Sequence, residues 1–164
     1  MVNDDMSMSR RAWVTRAAGM LCGGAVLSGL VPALAAAEAK PTTITVYKDP
    51  SCGCCTKWVA HLKASGLAPE VHDRADMDAL KDSLGVPKAL RSCHTAVAGK
   101  YVIEGHVPAS DLKQLLAAPP SKVLGLAVPG MPAGSPGMEM GGRADRYDVI
   151  AFAADGSTRP FAHH

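Results

Sequence analysis

An α/β fold on a mixed sheet is what the 164-residue sequence predicts, on three observations. Thr42 to Tyr47 alternates like a half-buried strand, with Ile44 and Val46 on one face and Thr43, Thr45 and Tyr47 on the other. Cys55, Trp58, Val59 and Leu62 then recur at i, i+3, i+4 and i+7, the stripe of an amphipathic helix, and Gly66 supplies its stop. Short strand-like and helix-like segments continue to alternate as far as Leu116, separated by Gly and Pro breaks.

The remaining elements follow in order. Glu70 to Asp73 reads as a second strand, and Met77, Leu80 and Leu84 mark a short helix that stops at Gly85-Val86-Pro87. Thr95 to Ala98 and Tyr101 to His106 read as two strands joined by Gly99-Lys100. Pro108 and Ser110-Asp111 open a last helix with Leu112, Leu115 and Leu116 inward, which Pro119-Pro120 ends. This β-α-β-α-β-β-α sequence is the thioredoxin-like order, a three-layer fold. After it, Gly125 to Arg143 is rich in Gly, Pro and Met and lacks periodicity, as a loop does. Because a strand-like run from Arg146 to Ala153 follows, this segment is expected to be a long ordered excursion before an added C-terminal strand, and such excursions tend to carry function.

Residues 1 to 37 read as an export signal that is removed, leaving 38 to 164 as one domain. Arg10, Arg11 and Arg16 precede an apolar run to Leu34, and small residues close it, with cleavage after Ala35 or Ala37 fitting equally well. Ser9 to Thr15, "SRRAWVT", resembles a twin-arginine signal. The rival is a retained anchor, since Ala17 to Ala37 is long enough to span a thin bilayer, but its glycines and alanines favour removal. Cys22 sits too early in the apolar run, after Met20-Leu21, for a lipid-attachment site and is discarded with the leader. The leader takes three of the chain's 17 Lys and Arg and two of its 15 Asp and Glu, so the exported part is nearly neutral. That balance points to neither a nucleic-acid partner nor an acidic membrane surface.

The chemistry is concentrated in "YKDPSCGCCTKWVAHL", residues 47 to 62. Cys52 and Cys55 form a C-x-x-C pair with Cys54 inside it, at the start of a helix whose free N–H groups stabilise thiolates. Both a redox nucleophile and a metal ligand need that stabilisation. Cys54 and Cys55 are helix neighbours and diverge, so three thiols there suit a bridged soft-metal cluster better than a simple dithiol switch, and thiolates and thioethers select Cu(I). Cys93, with His94 beside it, stands in "RSCHT", where a thioredoxin-like fold usually carries a cis proline facing the C-x-x-C turn. Fold topology would therefore place Cys93, and His94 with it, opposite Cys52, Cys54 and Cys55. The bland alternative is two structural disulfides. It ranks behind, because three cysteines within four residues staple almost no chain.

Methionines and histidines divide in the same way. Met77 lies at helical spacing with Leu80 and Leu84 and reads as core, whereas Met131, Met138 and Met140 fall in the Gly/Pro loop, where no core period explains them. A soft-metal contact and loop packing stand level for these three. His61 on the polar side of the first helix, His72 in an edge strand and His163-His164 at a frayed end read as surface. His94 is the best histidine candidate and His106 the second.

Together, "YKDPSCGCCTKW", "RSCHTAV", "YVIEGHVP" and "VPGMPAGSPGME" resemble the CopG-type periplasmic copper-resistance family from about Thr42 to Ala162. The resemblance implies a thioredoxin-like fold that binds copper through Cys52, Cys54, Cys55 and Cys93, as a multinuclear thiolate-bridged cluster, with a role in Cu(I)/Cu(II) redox handling as a copper oxidoreductase or a sequestering protein. His94, Met131 and Met138 lie in matching motifs. Partners would be copper ions and other periplasmic copper-handling proteins. Two alternatives stay open: a thiol-disulfide oxidoreductase working through Cys52 and Cys55, and a 2Fe–2S carrier on four cysteines.

Overall fold

The computed structural model describes residues 42–139, 141–142 and 144–164. The expected leader over 1–37, with Cys22, and Met140 of the loop lie outside the described residues. The chain forms β1 (Thr43–Lys48), α1 (Gly53–Ala64), β2 (Ala68–Asp73), α2 (Met77–Ser83), a 3-10 turn (Lys88–Leu90), β3 (His94–Ala98), β4 (Tyr101–Glu104), α3 (Ala109–Ala117), β5 (Gly125–Ala127), β6 (Asp148–Phe152) and β7 (Thr158–His163). No helix among the described residues is long and apolar enough to cross a membrane.

The strands lie in the order β2-β1-β3-β4-β5-β6-β7. β1 pairs parallel with β2 and β4 parallel with β5, and the other neighbours are antiparallel, so the sheet is mixed. The first four strands with α1, α2 and α3 are the thioredoxin-like core that the element order predicts.

Strand alternation sorts side chains onto two faces. On one, Ile44 and Val46 of β1, Ala96 and Ala98 of β3 and Ile103 of β4 pack with Trp58, Val59 and Leu62 of α1 and Leu112 and Leu115 of α3. On the other, Val86, Val102, Ala127 and Phe152 form a smaller cluster on the side of α2. The same alternation turns His94 toward α1, where its ring lies 4.3 Å from that of Trp58. Thr95 faces the opposite way and meets Lys81 of α2.

Local chemistry fixes the helix ends. α2 begins at Asp76, whose carboxylate accepts the Ala79 N–H at 3.1 Å. The N-cap position of α3 is Pro108, which has no capping side chain of its own. His61 of α1 supplies one, its Nε2 accepting the Ala109 N–H at 3.1 Å. His61 is therefore a half-buried cross-helix cap rather than a surface histidine.

Two strands go beyond those expected. The segment read as loop from Gly125 begins with β5, whose glycine is required by close approach: a Cβ on Gly125 would lie 2.0 Å from the Val102 carbonyl oxygen. β7 adds a second C-terminal strand, entered by Ala154-Asp155-Gly156-Ser157, with the Asp155 carboxylate accepting from the Ser157 N–H at 2.9 Å. The chain end is not frayed. Tyr147 and His164 exchange both backbone hydrogen bonds, at 3.1 and 2.9 Å, and His164 Nε2 lies 2.7 Å from the Asp111 carboxylate.

Trp58 is fully buried between the sheet and the α1 surface, and its indole N–H donates to the Val107 carbonyl at 2.8 Å. Trp58→Ala should lower unfolding stability by about 3–5 kcal/mol through the cavity it leaves. Trp58→Phe should cost roughly 1–3 kcal/mol, because the Val107 carbonyl then stays buried without that donor. Urea unfolding of the two variants checks both values.

Candidate metal centre

Four segments reach one end of the sheet. Lys48 pairs with His94 across β1 and β3, so the chain leaves β1 toward the cysteine turn where it enters β3. Thr95 pairs with Glu104, which brings Gly105 and His106 to that end, and Glu104 pairs with Ala127, which brings the Met loop there. Within the turn, the Asp49 carboxylate accepts from the Ser51 N–H at 2.8 Å and its hydroxyl at 2.5 Å, and the Cys52 N–H donates to the Asp49 carbonyl at 3.1 Å. Cys52 then takes the N-cap position of α1 in an extended conformation.

The structure brings Cys52, Cys54, Cys55 and Cys93 together: their sulfurs all lie within 4.8 Å of one another. Cys54 stands between the others, 3.4 Å from the Cys52 sulfur and 3.8 Å from that of Cys93. Two thiolates bound to one ion at about 2.3 Å sit roughly 3.8 Å apart at a tetrahedral angle. The spacing therefore suits thiolates that share a metal. One bond separates this arrangement from four free thiols: Cys52 and Cys55 form a disulfide, and Cys54 and Cys93 are free. The bridge spans a sequence separation of three, too short a loop to stabilise the fold appreciably.

Burial, reinforced by the neighbouring Cys54 thiol, pushes the Cys93 thiol up to about 12. Without metal it is a thiol, and a soft cation binding there displaces its proton.

Two imidazoles complete the other side of Cys93. His106 Nε2 lies 3.1 Å and His94 Nδ1 3.3 Å from its sulfur. One ligand atom from each of Cys93, His94 and His106 lies within 4.8 Å of the other two, so Cys93 belongs to both the four-sulfur group and a one-sulfur, two-nitrogen group. Pro136 fixes the His106 tautomer, since its carbonyl, 2.8 Å from Nδ1, can only accept. Nε2 is then left with a lone pair facing Cys93, the arrangement metal-binding histidines favour. His94 is fully buried, and its Nε2 is the one buried side-chain nitrogen or oxygen among the described residues with no hydrogen-bond partner. Unpaired buried polar atoms are rare and costly; the His94 nitrogen that faces Cys93 is the other one, Nδ1. Thiolate, thioether and imidazole donors fit copper.

Behind this segment lies a buried charge pair that the sequence pattern did not reveal. Lys81 Nζ is 2.5 Å from the fully buried Glu104 carboxylate and donates to Thr95 Oγ1 at 2.9 Å. Glu104 also accepts the Thr95 hydroxyl at 2.7 Å and the Ser92 N–H at 2.6 Å. Burial raises the Glu104 carboxyl above its ordinary value, although Lys81, Ser92 and Thr95 pull the other way. The residue before Cys93 is thus held from inside the protein. From the loop side, the Ser92 hydroxyl donates to the Gly130 carbonyl.

The Met loop is ordered through its own bonds: Ala133 and Asp145 join its two arms, and Gly134 with Met138 and Met138 with Ser135 close a turn. Gly137 docks that turn on α1. Its φ is +88°, and a Cβ there would lie 2.8 Å from the Cys54 carbonyl oxygen and 2.9 Å from the Trp58 nitrogen. Met138 follows directly and is half-buried, whereas Met131 is 53 % exposed. The residues that visibly cover the site are Pro136 and Gly137. Met77, read as core, is half-buried and belongs to neither core cluster, and His72 lies exposed on edge strand β2, 3.2 Å from Glu70.

Comparison with known proteins bears on the same region. A family model described as "Protein of unknown function, DUF411" matches residues 90–138, the stretch from the 3-10 turn through Cys93, His94 and His106 to Met138. No curated protein matches. A solved structure described as "Copper resistance protein copG- Form 1" shares 46% identity and a TM-score of 0.72, covering 76% of this chain and 98% of that one. A second, "Copper resistance protein copG- Form 2", shares 45% identity with a TM-score of 0.73, covering 76% and 99%.

Two outcomes follow from the geometry. Lys81→Met strands the Glu104 carboxylate and should cost about 3–5 kcal/mol in urea unfolding of the metal-free protein. The Lys81→Met/Glu104→Gln double variant should regain much of that, because no buried charge remains while an acceptor for the Ser92 N–H is kept.

The second concerns pH. Burial lowers the pKa of His61 and His106, and lowers that of His94 well below 6.5. A depressed folded-state value means that the unfolded chain takes up protons first, so stability is full above about pH 6.5 and is lost as pH falls. The thermal midpoint of the metal-free protein should drop between pH 7 and pH 5, and by less in His94→Asn. A midpoint rising over that interval would contradict the assignment of neutral buried imidazoles.

Proposed function

Because the chain belongs to the CopG family of copper resistance proteins, we propose that it binds copper in the periplasm, sequestering it or cycling it between Cu(I) and Cu(II). The observation that carries this reading is the meeting of the Cys52, Cys54, Cys55 and Cys93 sulfurs within 4.8 Å of one another. Opened to four thiolates, they form a soft donor set suited to Cu(I), and Cys54, in contact with sulfurs on both sides, bridges ions in a multinuclear cluster. His94 adds an imidazole whose Nδ1 lies 3.3 Å from the Cys93 sulfur. Met138 and Met131 are proposed as thioether contacts from the loop docked by Gly137; for the exposed Met131, the side chain must turn inward. Copper is the cargo. The leader read over residues 1–37 delivers the protein to the periplasm and is removed there, and other periplasmic copper-handling proteins exchange metal with it.

The Cys52–Cys55 bond favours a second reading, a thiol-disulfide oxidoreductase. In that role Cys54 is dispensable, because attack and resolution need only Cys52 and Cys55. A 2Fe–2S carrier would be coloured as isolated, whereas an all-Cu(I) thiolate protein is colourless.

Cys54→Ser separates these readings. It should lower the copper bound per reduced protein, measured by metal analysis, and leave the remainder more prone to oxidation. Unchanged copper content, together with strong reduction of a disulfide substrate by both forms, would overturn the copper reading in favour of the oxidoreductase.

A further inference from the structure

The two sulfur pairs differ in state. Cys52 and Cys55 are joined, while Cys54 and Cys93 are free. Closing the first pair does not dismantle the second, which keeps its 3.8 Å spacing and still has His94 and His106 against Cys93. Two thiols able to hold Cu(I), Cys54 and Cys93, therefore survive in the disulfide form, and the two imidazoles stand against Cys93. Imidazole suits Cu(II), whereas thiolate favours Cu(I). Cys93 is common to both groups, so an ion received at the histidine side need not leave the protein to reach the sulfur side.

We propose that Cys52 and Cys55 are the electron source for cupric ion received at Cys93, His94 and His106, and that their disulfide is the product of that reduction. This rests on the copper reading and assigns separate tasks within its site. In the step, the Cys52 and Cys55 thiols lose two protons and two electrons and form one S–S bond, and two Cu(II) ions each gain one electron to become Cu(I). Cys54 and Cys93 remain reduced and hold the product. Return requires a dithiol reductant, whose thiolate attacks the disulfide, releases Cys55 through a mixed disulfide at Cys52 and leaves as a disulfide itself. Exposure selects the attacked sulfur: Cys55 is fully buried at the start of α1, while Cys52 is half-buried at its N-cap. His106 is held for reception by the Pro136 carbonyl, which keeps the Nε2 lone pair toward Cys93.

The test uses the leader-free chain, fully reduced and kept anaerobic, titrated with Cu(II). Cu(I) is measured with a Cu(I)-specific chelator, and disulfides are mapped by alkylation and mass spectrometry after copper removal. The expected result is two Cu(I) for each Cys52–Cys55 disulfide formed, with Cys54 and Cys93 still alkylatable. His106→Gln should slow Cu(I) formation by about tenfold or more. A Cys54–Cys93 disulfide, a Cu(I) yield unrelated to the Cys52–Cys55 bond, or an unchanged rate in His106→Gln would overturn the proposal. A parallel titration with Cu(I) separates the two levels. If Cu(I) binds the reduced protein but Cu(II) closes no Cys52–Cys55 bond, only this inference fails; if Cu(I) does not bind, the copper reading fails with it.

Discussion

The antiparallel pairing of β1 with β3 is the constraint on which the rest depends. With Lys48 opposite His94, the end of one strand and the start of the other meet at the same edge of the sheet. That register places Cys93 beside Cys54 although 39 positions separate them in sequence. It also fixes side-chain direction, because a one-residue slip would turn His94 to the opposite face of the sheet. The next two pairings repeat the effect, bringing His106 and then the Met loop to the same end. The site is thus built from connections between strands, while the strands themselves supply rigidity.

The buried Lys81–Glu104 pair is costly in isolation, since removing two charges from water is seldom repaid by their attraction alone. Here each oxygen of the carboxylate is satisfied, by Lys81 and Ser92 at one and Thr95 at the other. A fully bonded network of this kind rigidifies what it touches. What it touches is the residue next to Cys93. On the opposite side, Gly137 allows the loop backbone to sit against the Cys54 carbonyl, and Pro136 binds His106. The cysteine-histidine group therefore lies between a rigid internal support and a docked loop, which limits both water access and the freedom of its donors.

Shared use of Cys93 gives the site two ends of different chemical softness. At one end sulfur dominates; at the other, imidazoles whose buried positions keep them neutral. A neutral imidazole is ready to bind metal, whereas the Cys93 thiol must first give up its proton. Metal binding and proton release are consequently coupled at a single sulfur.

The sequence by itself determined the order of the first seven elements, the buried stripe of α1 and the cysteine turn at its start, because those signals are local: alternation, helical period and the turn chemistry of Gly and Pro. It also carried Cys93 and His94 as candidates, through their place before a strand in a recognisable order. β5 was hidden by its three-residue length and its glycine. β7 was hidden by Pro160 and its polar residues, although Asp155-Gly156 marks the turn that precedes it. Only the tertiary structure decided that His61 caps α3, that His106 stands against Cys93, and that Lys81 and Glu104 meet 23 positions apart. Each of these depends on which way a side chain points once strands and helices have packed. A residue's type says what bonds it can make; register and packing say with whom.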